Sequence, residues 1–399
     1  MFKLKEIIEG VDVRFEVFDG GFVCRHQDLE YEDFVSSKEL FLHNTSEIIN
    51  IGVVPYTMGV TVGDRLYIGS VNGKLLILND KGERILIDDT GDCSVGFGRI
   101  LGDNIISEEY LLKMTSQKIY HHKATDLEIG TIKKVELVDK DLNVKFLLNS
   151  LTTSIFDEEN LKCEVNQYFY NFLINDKLLT LSTRLCLAAY DIKTGGVHWE
   201  FNFESQENKG RYVKHYLQNI LGIYMNELYV ICSMGNILVI DLHTGKQIHR
   251  WEGIGNCFLD KVRGRILAFK FDKERGKALG LKWSVYQRVE IYLNTKDVYS
   301  TDIFDYFSEL DIKNLEINWD SPIIGDHLIC IFRTLNVQDD WNWGIKSGLL
   351  SYNLQTNMVD WQYFVEEGSL ALIPKVSNNK IYVGDGNLSQ IMIFEKINT

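Results

Sequence analysis

The sequence predicts an all-β chain, a single β-propeller of about eight four-stranded blades, and three observations predict it. A strand–turn–strand unit is written three times in nearly the same form. Each copy is preceded by another strand of one style. No stretch carries the 3.6-residue apolar rhythm that helical repeats of this period would need.

The clearest copy is AAYDIKTGGVHWEF at 188–201. An apolar run leads into the turn, and VHWEF alternates after it, as two strands of a hairpin do. Asp191 can cap the turn through its side-chain oxygen, Gly195 can adopt a positive φ, and Trp199 can bury a large flat ring between layers. The second copy, LVIDLHTGKQIHRW, has Asp241, Thr244 and Gly245 in register and Trp251 two residues late. Two residues along a strand return to the same face, so the packing role is kept. In the third copy, LLSYNLQTNMVDW, Asn353 and Asn357 replace Asp and Gly ahead of Trp361, and Asn tolerates the same left-handed turn.

The preceding strands are DKLLTLST, NELYVICS and DHLICIFR. The same pairing of strands recurs in DRLYIGSVNGKLLILNDKGERILI and in NKIYVGDGNLSQIMIFEKI. Turn positions fall at Asn79, Asp157, Asp191, Asp241 and Asn353, and the last strand ends near Lys396. The wide gaps hold two degenerate copies, at 104–129 and 265–293. This makes eight units, with seven the alternative if 98–166 is one irregular blade. The last blade lacks an outer strand, and VRFEVFDGGFVCRH at 13–26 is the expected donor. Residues 1–47 then complete that blade and 1–399 form one domain, closed so that two open sheet edges disappear.

The pattern Ala-x-Asp-x-x-Thr-Gly-x-x-x-Trp, met in full by Ala189, Asp191, Thr194, Gly195 and Trp199, resembles the repeat of PQQ-like (quinoprotein-type) β-propellers. It is complete in one blade, good in two and degenerate elsewhere, and the organisation it implies spans about 48–399. The motif serves blade packing and implies no quinone. Quinoprotein dehydrogenases with this repeat are exported, hold a metal and commonly carry a vicinal disulfide. This chain has neither adjacent cysteines nor an export signal, so no cofactor is expected.

With 399 residues, 45% hydrophobic and 12% aromatic, the chain has ample material for a packed core. Its 56 acidic and 42 basic residues leave a formal charge of -14, which repels phosphate-rich ligands and suits a basic protein partner. Nucleic acid is therefore not expected as a partner. The N-terminal MFKLKEIIEGVDVRFEV has no apolar core or small-residue cleavage site, and no stretch approaches 18 apolar residues, so a cytoplasmic protein without a membrane partner is expected. Seven scattered cysteines, mostly in apolar runs, read as buried reduced thiols.

Signals for chemistry are weak. His121 and His122 are adjacent, which on a strand turns them to opposite faces, while His243 and His249 flank a hairpin turn as surface residues do. GFGRILG at 96–102 is neither a dinucleotide fingerprint nor a P-loop, and no G-x-S-x-G elbow exists. No catalytic residue and no metal site is assigned.

The chain does lengthen at 204–219, 272–277, 300–318 and 335–346. The first and third follow an outer strand, and the second and fourth join the middle two strands, which in a propeller places all four on one face. Such loops tend to carry function. They hold Tyr212, His215, Tyr216, Phe304, Tyr306, Phe307, Asp339, Asp340, Trp341 and Trp343. Rigid aromatics beside charges have the character of a protein-binding hot spot. A non-catalytic interaction module of neutralising or immunity type is expected. The alternative is a propeller that binds or processes a carbohydrate or other small molecule in its central funnel, with Trp341 or Trp343 stacked on a sugar ring.

Overall fold

The computed structural model describes residues 1–18, 21–26, 38–52, 55, 60–62, 65–69, 74–89, 94–101, 104–114, 128–139, 144–148, 170–175, 178–182, 186–191, 197–203, 205–208, 211–214, 217–270, 287–317, 321–334, 347–365, 370, 374–386 and 388–397. Among them, eight antiparallel sheets each run through at least four strands, joined in an up-and-down meander. Helix is almost absent: one α-helix, Phe304–Glu309, and one short 3-10 turn are found among the described residues. The chain is all-β and fits a β-propeller.

In chain order the first sheet contains Val11–Phe18, Gly21–His26, Glu39–Leu42 and Glu47–Asn50. The second spans 60–89, the third 94–148, the fourth 170–202, the fifth 217–251, the sixth 257–302 and the seventh 314–365. The eighth is built from Lys375–Ser377, Lys380–Asp385 and Gln390–Lys396, with Phe2–Glu9 added as its outer strand. Two compact units are distinguished: 1–17 with 219–241 and 247–399, and 18–218 with 242–246.

Middle strands such as Glu227–Cys232 and His327–Arg333 are buried along almost their whole length. A sheet covered on both faces needs apolar side chains on both, which is why these strands read as unbroken apolar runs and not as alternation. Apolar clusters fill the spaces between successive sheets. Tyr229, Ile237 and Trp251 of the fifth meet Ile266, Ala268 and Val289 of the sixth. Leu267 of the sixth meets Leu328, Leu350 and Tyr352 of the seventh, and Ile329 and Leu349 of the seventh meet Val383 and Phe394 of the eighth. In the other unit, Val23 and Leu40 of the first sheet pack on Leu66 and Leu76 of the second.

The repeated turn earns its sequence by docking on the preceding sheet. Gly245, in the turn of the fifth sheet, has φ +67, and a Cβ placed there would stand 2.6 Å from the Trp199 ring of the fourth. Trp199 Nε1 donates to Leu242 O of the same turn at 2.8 Å. Glycine is required twice at this position, by backbone conformation and by the indole. Trp251 is buried as expected from its two-residue shift, with His249 edge-on to it at 4.4 Å between ring centroids.

Two expectations are corrected. The outer strand of the eighth sheet is Phe2–Glu9, paired with Gln390–Lys396, and not 13–26. Residues 11–50 instead build a sheet of their own, so 1–47 do more than complete the last one. Ile7 and Leu4, outward or half-buried, suit an outer strand, while VDVRFEVF has the denser burial of an inner one. The third sheet pairs Glu128–Asp139 with Val144–Leu148, and Asp157, the expected turn position, lies outside the described residues. Eight sheets thus arise by a different partition, with 94–148 forming one sheet and 11–50 supplying another.

Candidate functional site

Two of the four lengthened connections fall on described residues. That at 204–219 forms a separate two-stranded hairpin, Ser205–Asn208 with Arg211–Lys214, in which Glu207 stands opposite Tyr212. That at 300–318 forms the helix Phe304–Glu309, between the outer strand of the sixth sheet and the innermost of the seventh. Asp302 Oδ1 accepts Phe304 N–H at 3.0 Å and so starts this helix from its side chain. His215, Tyr216, Asp339, Asp340, Trp341 and Trp343 lie outside the described residues, as does 272–277. Tyr212 belongs to one compact unit, and Phe304, Tyr306 and Phe307 to the other.

The helix is held by the aromatics that were expected to face a partner. Phe307 is 1% exposed and packs with Leu315, Phe332 and Tyr352, so it has no surface to offer and serves as an anchor. Tyr306 is half-buried, and its hydroxyl accepts Val359 N–H at 2.7 Å. Burial raises the Tyr306 pKa above the usual phenol range. Gln362 Nε2 donates to Leu310 O at 3.2 Å. The helix therefore covers the outer strand of the seventh sheet, Met358–Val365, and takes up hydrogen-bonding groups of that open edge. Phe304 is half-buried, and Asp305 and Glu309 are exposed.

A charged network that sequence reasoning missed joins the sixth and seventh sheets. Arg265, 4% exposed, reaches Asp260 Oδ2 at 3.2 Å and also binds Glu290 and the carbonyl of Leu354. Arg288 pairs with Glu290 Oε2 at 3.2 Å and approaches the Tyr352 hydroxyl at 3.4 Å. Arg263 bridges Asp260 and Asp326. Burial pushes the Tyr352 phenol up to about 12, with the Arg288 charge working against the rise. The only sequence signal was the spacing Asp260-x-x-Arg263-x-Arg265 around a tight turn. Every charge in the network is matched, which describes a structural joint. A similar joint binds Lys296 to Glu227 and, at 2.9 Å, to the Tyr229 hydroxyl.

Ser351, His327 and Asp360 lie together, a combination that invites comparison with a hydrolytic triad. Both Ser351 Oγ, at 3.2 Å, and Asp360 Oδ2, at 2.9 Å, approach the same nitrogen, Nδ1 of His327. A triad needs the serine on one ring nitrogen and the carboxylate on the other, and Ser351 is fully buried. These residues cross-link strands.

Residues 94–101, which include most of the glycine-containing stretch, form a strand of the third sheet paired with Asn104–Met114, its register shifted between Phe97 and Ile100. Among the described residues no group of three or more His, Cys, Asp or Glu is placed to hold a metal ion, and no helix is long and apolar enough to cross a membrane. Cys24, Cys232, Cys257 and Cys330 are buried and in no disulfide, and burial raises Cys232 to about 12 and Cys257 and Cys330 further.

No family model matches the chain, and no curated protein matches it. Among solved structures it is similar to BamB from Moraxella catarrhalis, with a TM-score of 0.54 and 12% identity, over 99% of this chain and 100% of that one. At this identity the likeness speaks for the β-propeller fold alone. A computationally designed protein, Ika8, gives a TM-score of 0.40 at 8% identity, over 84% of this chain and 95% of that one, and at that score carries no argument.

Proposed function

We propose that this chain is a closed, eight-bladed propeller without catalytic chemistry that binds another protein through the elements inserted between its sheets. The observation that carries the reading is that a plain four-stranded meander has been given added structure: a free-standing hairpin at 205–214 and a helix at 304–309. Neither is needed to join one sheet to the next, and such additions are where scaffolds place recognition. The formal charge of -14 favours a basic partner. A neutralising or immunity-type role in the cytoplasm fits a protein whose ionised groups form structural joints. Phe307 and Tyr306 hold the platform, while Tyr212, His215, Tyr216, Phe304, Asp339, Asp340, Trp341 and Trp343 remain the proposed contact set. Affinity capture from native cytoplasm compares the wild type with the triple variant Tyr212→Ala/Trp341→Ala/Trp343→Ala. One basic protein held by the wild type and lost by the variant is the expected result. Capture of nothing, or equal capture by both, overturns the reading.

A further inference from the structure

Resting on the protein-interaction reading above, we infer that the outer strand Val298–Asp302 of the sixth sheet receives an extended basic segment of the partner as an added strand. An outer strand is a row of backbone groups ready to pair with another chain, and proteins usually blunt such edges. In this chain the blunting is visible nearly everywhere else. A residue is bulged out of the outer-strand register at Ile85 in the second sheet, Lys145 in the third, His198 in the fourth, Ile248 in the fifth, Asp360 in the seventh and Lys5 in the eighth. The first sheet has no bulge, but the Arg84 guanidinium occupies the Asn50 carbonyl at 2.8 Å. The seventh is further covered by the helix through Tyr306 and Gln362.

Among the described residues the sixth sheet has none of these devices within its outer strand. Its outer strand pairs without a break from Gln287 opposite Asp302 to Ile291 opposite Val298. All five residues, VYSTD, are exposed, with no Lys, Pro or Gly among them. Tyr292 N–H donates to Asp297 O at 3.0 Å and Tyr292 O accepts Lys296 N–H at 2.8 Å, so Tyr292 closes the ladder at a hydrogen-bonded position. Counting along the unbroken ladder, Glu290–Tyr299 and Arg288–Thr301 are also bonded pairs. The N–H and C=O groups of Val298 and Ser300 therefore point away from the sheet.

Charge selects the occupant. Exposed Asp297 and Asp302 stand at the two ends of the strand, and exposed Asp305 and Glu309 follow on the helix. The nearby cations are committed, Lys296 to Glu227 and Arg288 to Glu290. Tyr299, 56% exposed and held edge-on by Tyr292 at 5.5 Å, offers an aromatic face to a cation on the incoming strand. An extended segment bearing Arg or Lys at alternate positions satisfies both the ladder and the field.

The probe is a fluorescein-labelled octapeptide alternating Arg and Val, titrated into the full chain by fluorescence anisotropy. Controls are a Glu–Val octapeptide and an Arg–Val octapeptide N-methylated at alternate residues, which keeps the charge but loses one edge of donors. Amide hydrogen exchange then locates the contact. Binding of the Arg–Val peptide is expected, at least tenfold weaker after N-methylation or with Val298→Lys, and with at least tenfold protection of Val298 and Ser300. Ser300→Pro, which removes an outward N–H, should act in the same direction; if circular dichroism shows it unfolded, Val298→Lys decides. Absence of binding, equal binding of the N-methylated peptide, or protection elsewhere than 298–302 overturns the inference. A basic protein captured from cytoplasm that leaves Val298 and Ser300 exchange unchanged overturns the edge alone and leaves the interaction reading standing.

Discussion

Trp199 and Gly245 belong to successive repeats, and each explains the other: the indole of one lies where a Cβ of the next would have to be, 2.6 Å away. Replacing Gly245 by Ala therefore meets two penalties, a left-handed backbone and a collision with a buried ring. A loss of about 2–4 kcal/mol of unfolding free energy is expected. Gly253 is the control: its φ is +60 but nothing lies within 4 Å of the added carbon, so Gly253→Ala should cost only about 1 kcal/mol. Urea unfolding of the two variants measures the difference.

Trp199→Phe keeps most of the apolar ring but removes the donor that satisfies the Leu242 carbonyl. A buried acceptor left without its partner costs about 1–3 kcal/mol. Exchange of amides in the turn at 242–246 should quicken along with the global loss, which a purely steric defect at a distance would not produce.

Arg265 is the centre of the buried network, so its removal leaves Asp260, 2% exposed, to Arg263 and Glu290, 6% exposed, to Arg288, with one buried negative charge in excess. Arg265→Met should destabilise by about 3–5 kcal/mol. The double change Asp260→Leu/Arg265→Met, which leaves Arg263 paired with Asp326 and Arg288 with Glu290, should recover part of this loss. Thermal unfolding of both variants tests whether the network is valuable in itself or only costly to break.

Alkaline pH should weaken the fold. The Cys232 thiol, ordinarily near 9.0, is held at about 12 by burial, and the Tyr352 phenol, ordinarily near 10.0, also at about 12. Both are acids whose folded values are raised, so the folded chain keeps protons that the unfolded chain has already released. Their stabilisation is complete below the unfolded values and is lost as the pH climbs from about 9 toward 12, by up to about 1.4 kcal/mol per pH unit for each group. Native-state alkylation of Cys232 at pH 8 should accordingly be slow and should accelerate only with unfolding.

The all-β class and the turn motif were legible because they are local: Asp241, Thr244, Gly245 and an alternating strand lie within a dozen residues. The burial of Trp251 followed from the period of two alone. The partition into sheets was harder. In the third sheet the strands Asn104–Met114 and Glu128–Asp139 are long and polar, which hid where one strand ends and the next begins. At the N-terminus, FKLKEIIE and VDVRFEVF both alternate, and only their partners, nearly 400 residues away for the first, tell an outer strand from an inner one. Aromatics on an insertion were legible as important, but Phe307 facing inward and Phe304 half-buried depend on where a one-and-a-half-turn helix rolls. The charged joint at Arg265 was invisible because Asp260, Glu290 and Leu354 meet it from three separate strands and turns.

The pairing of Phe2–Glu9 with Gln390–Lys396 gives synthesis a direction. During synthesis Phe2–Glu9 emerges well before its partner strand and waits until Gln390–Lys396 follows, and Lys375, whose ammonium binds Phe15 O at 2.6 Å and Glu16 at 2.7 Å, arrives only shortly before that strand. In the interval these residues wait unpaired, which makes the eighth sheet a late step of assembly and a high-separation contact that slows it. A nascent chain stalled before Gln390 would keep Phe2–Glu9 exposed to proteases and chaperones, whereas emergence of Gln390–Lys396 would bury both strands in one stroke.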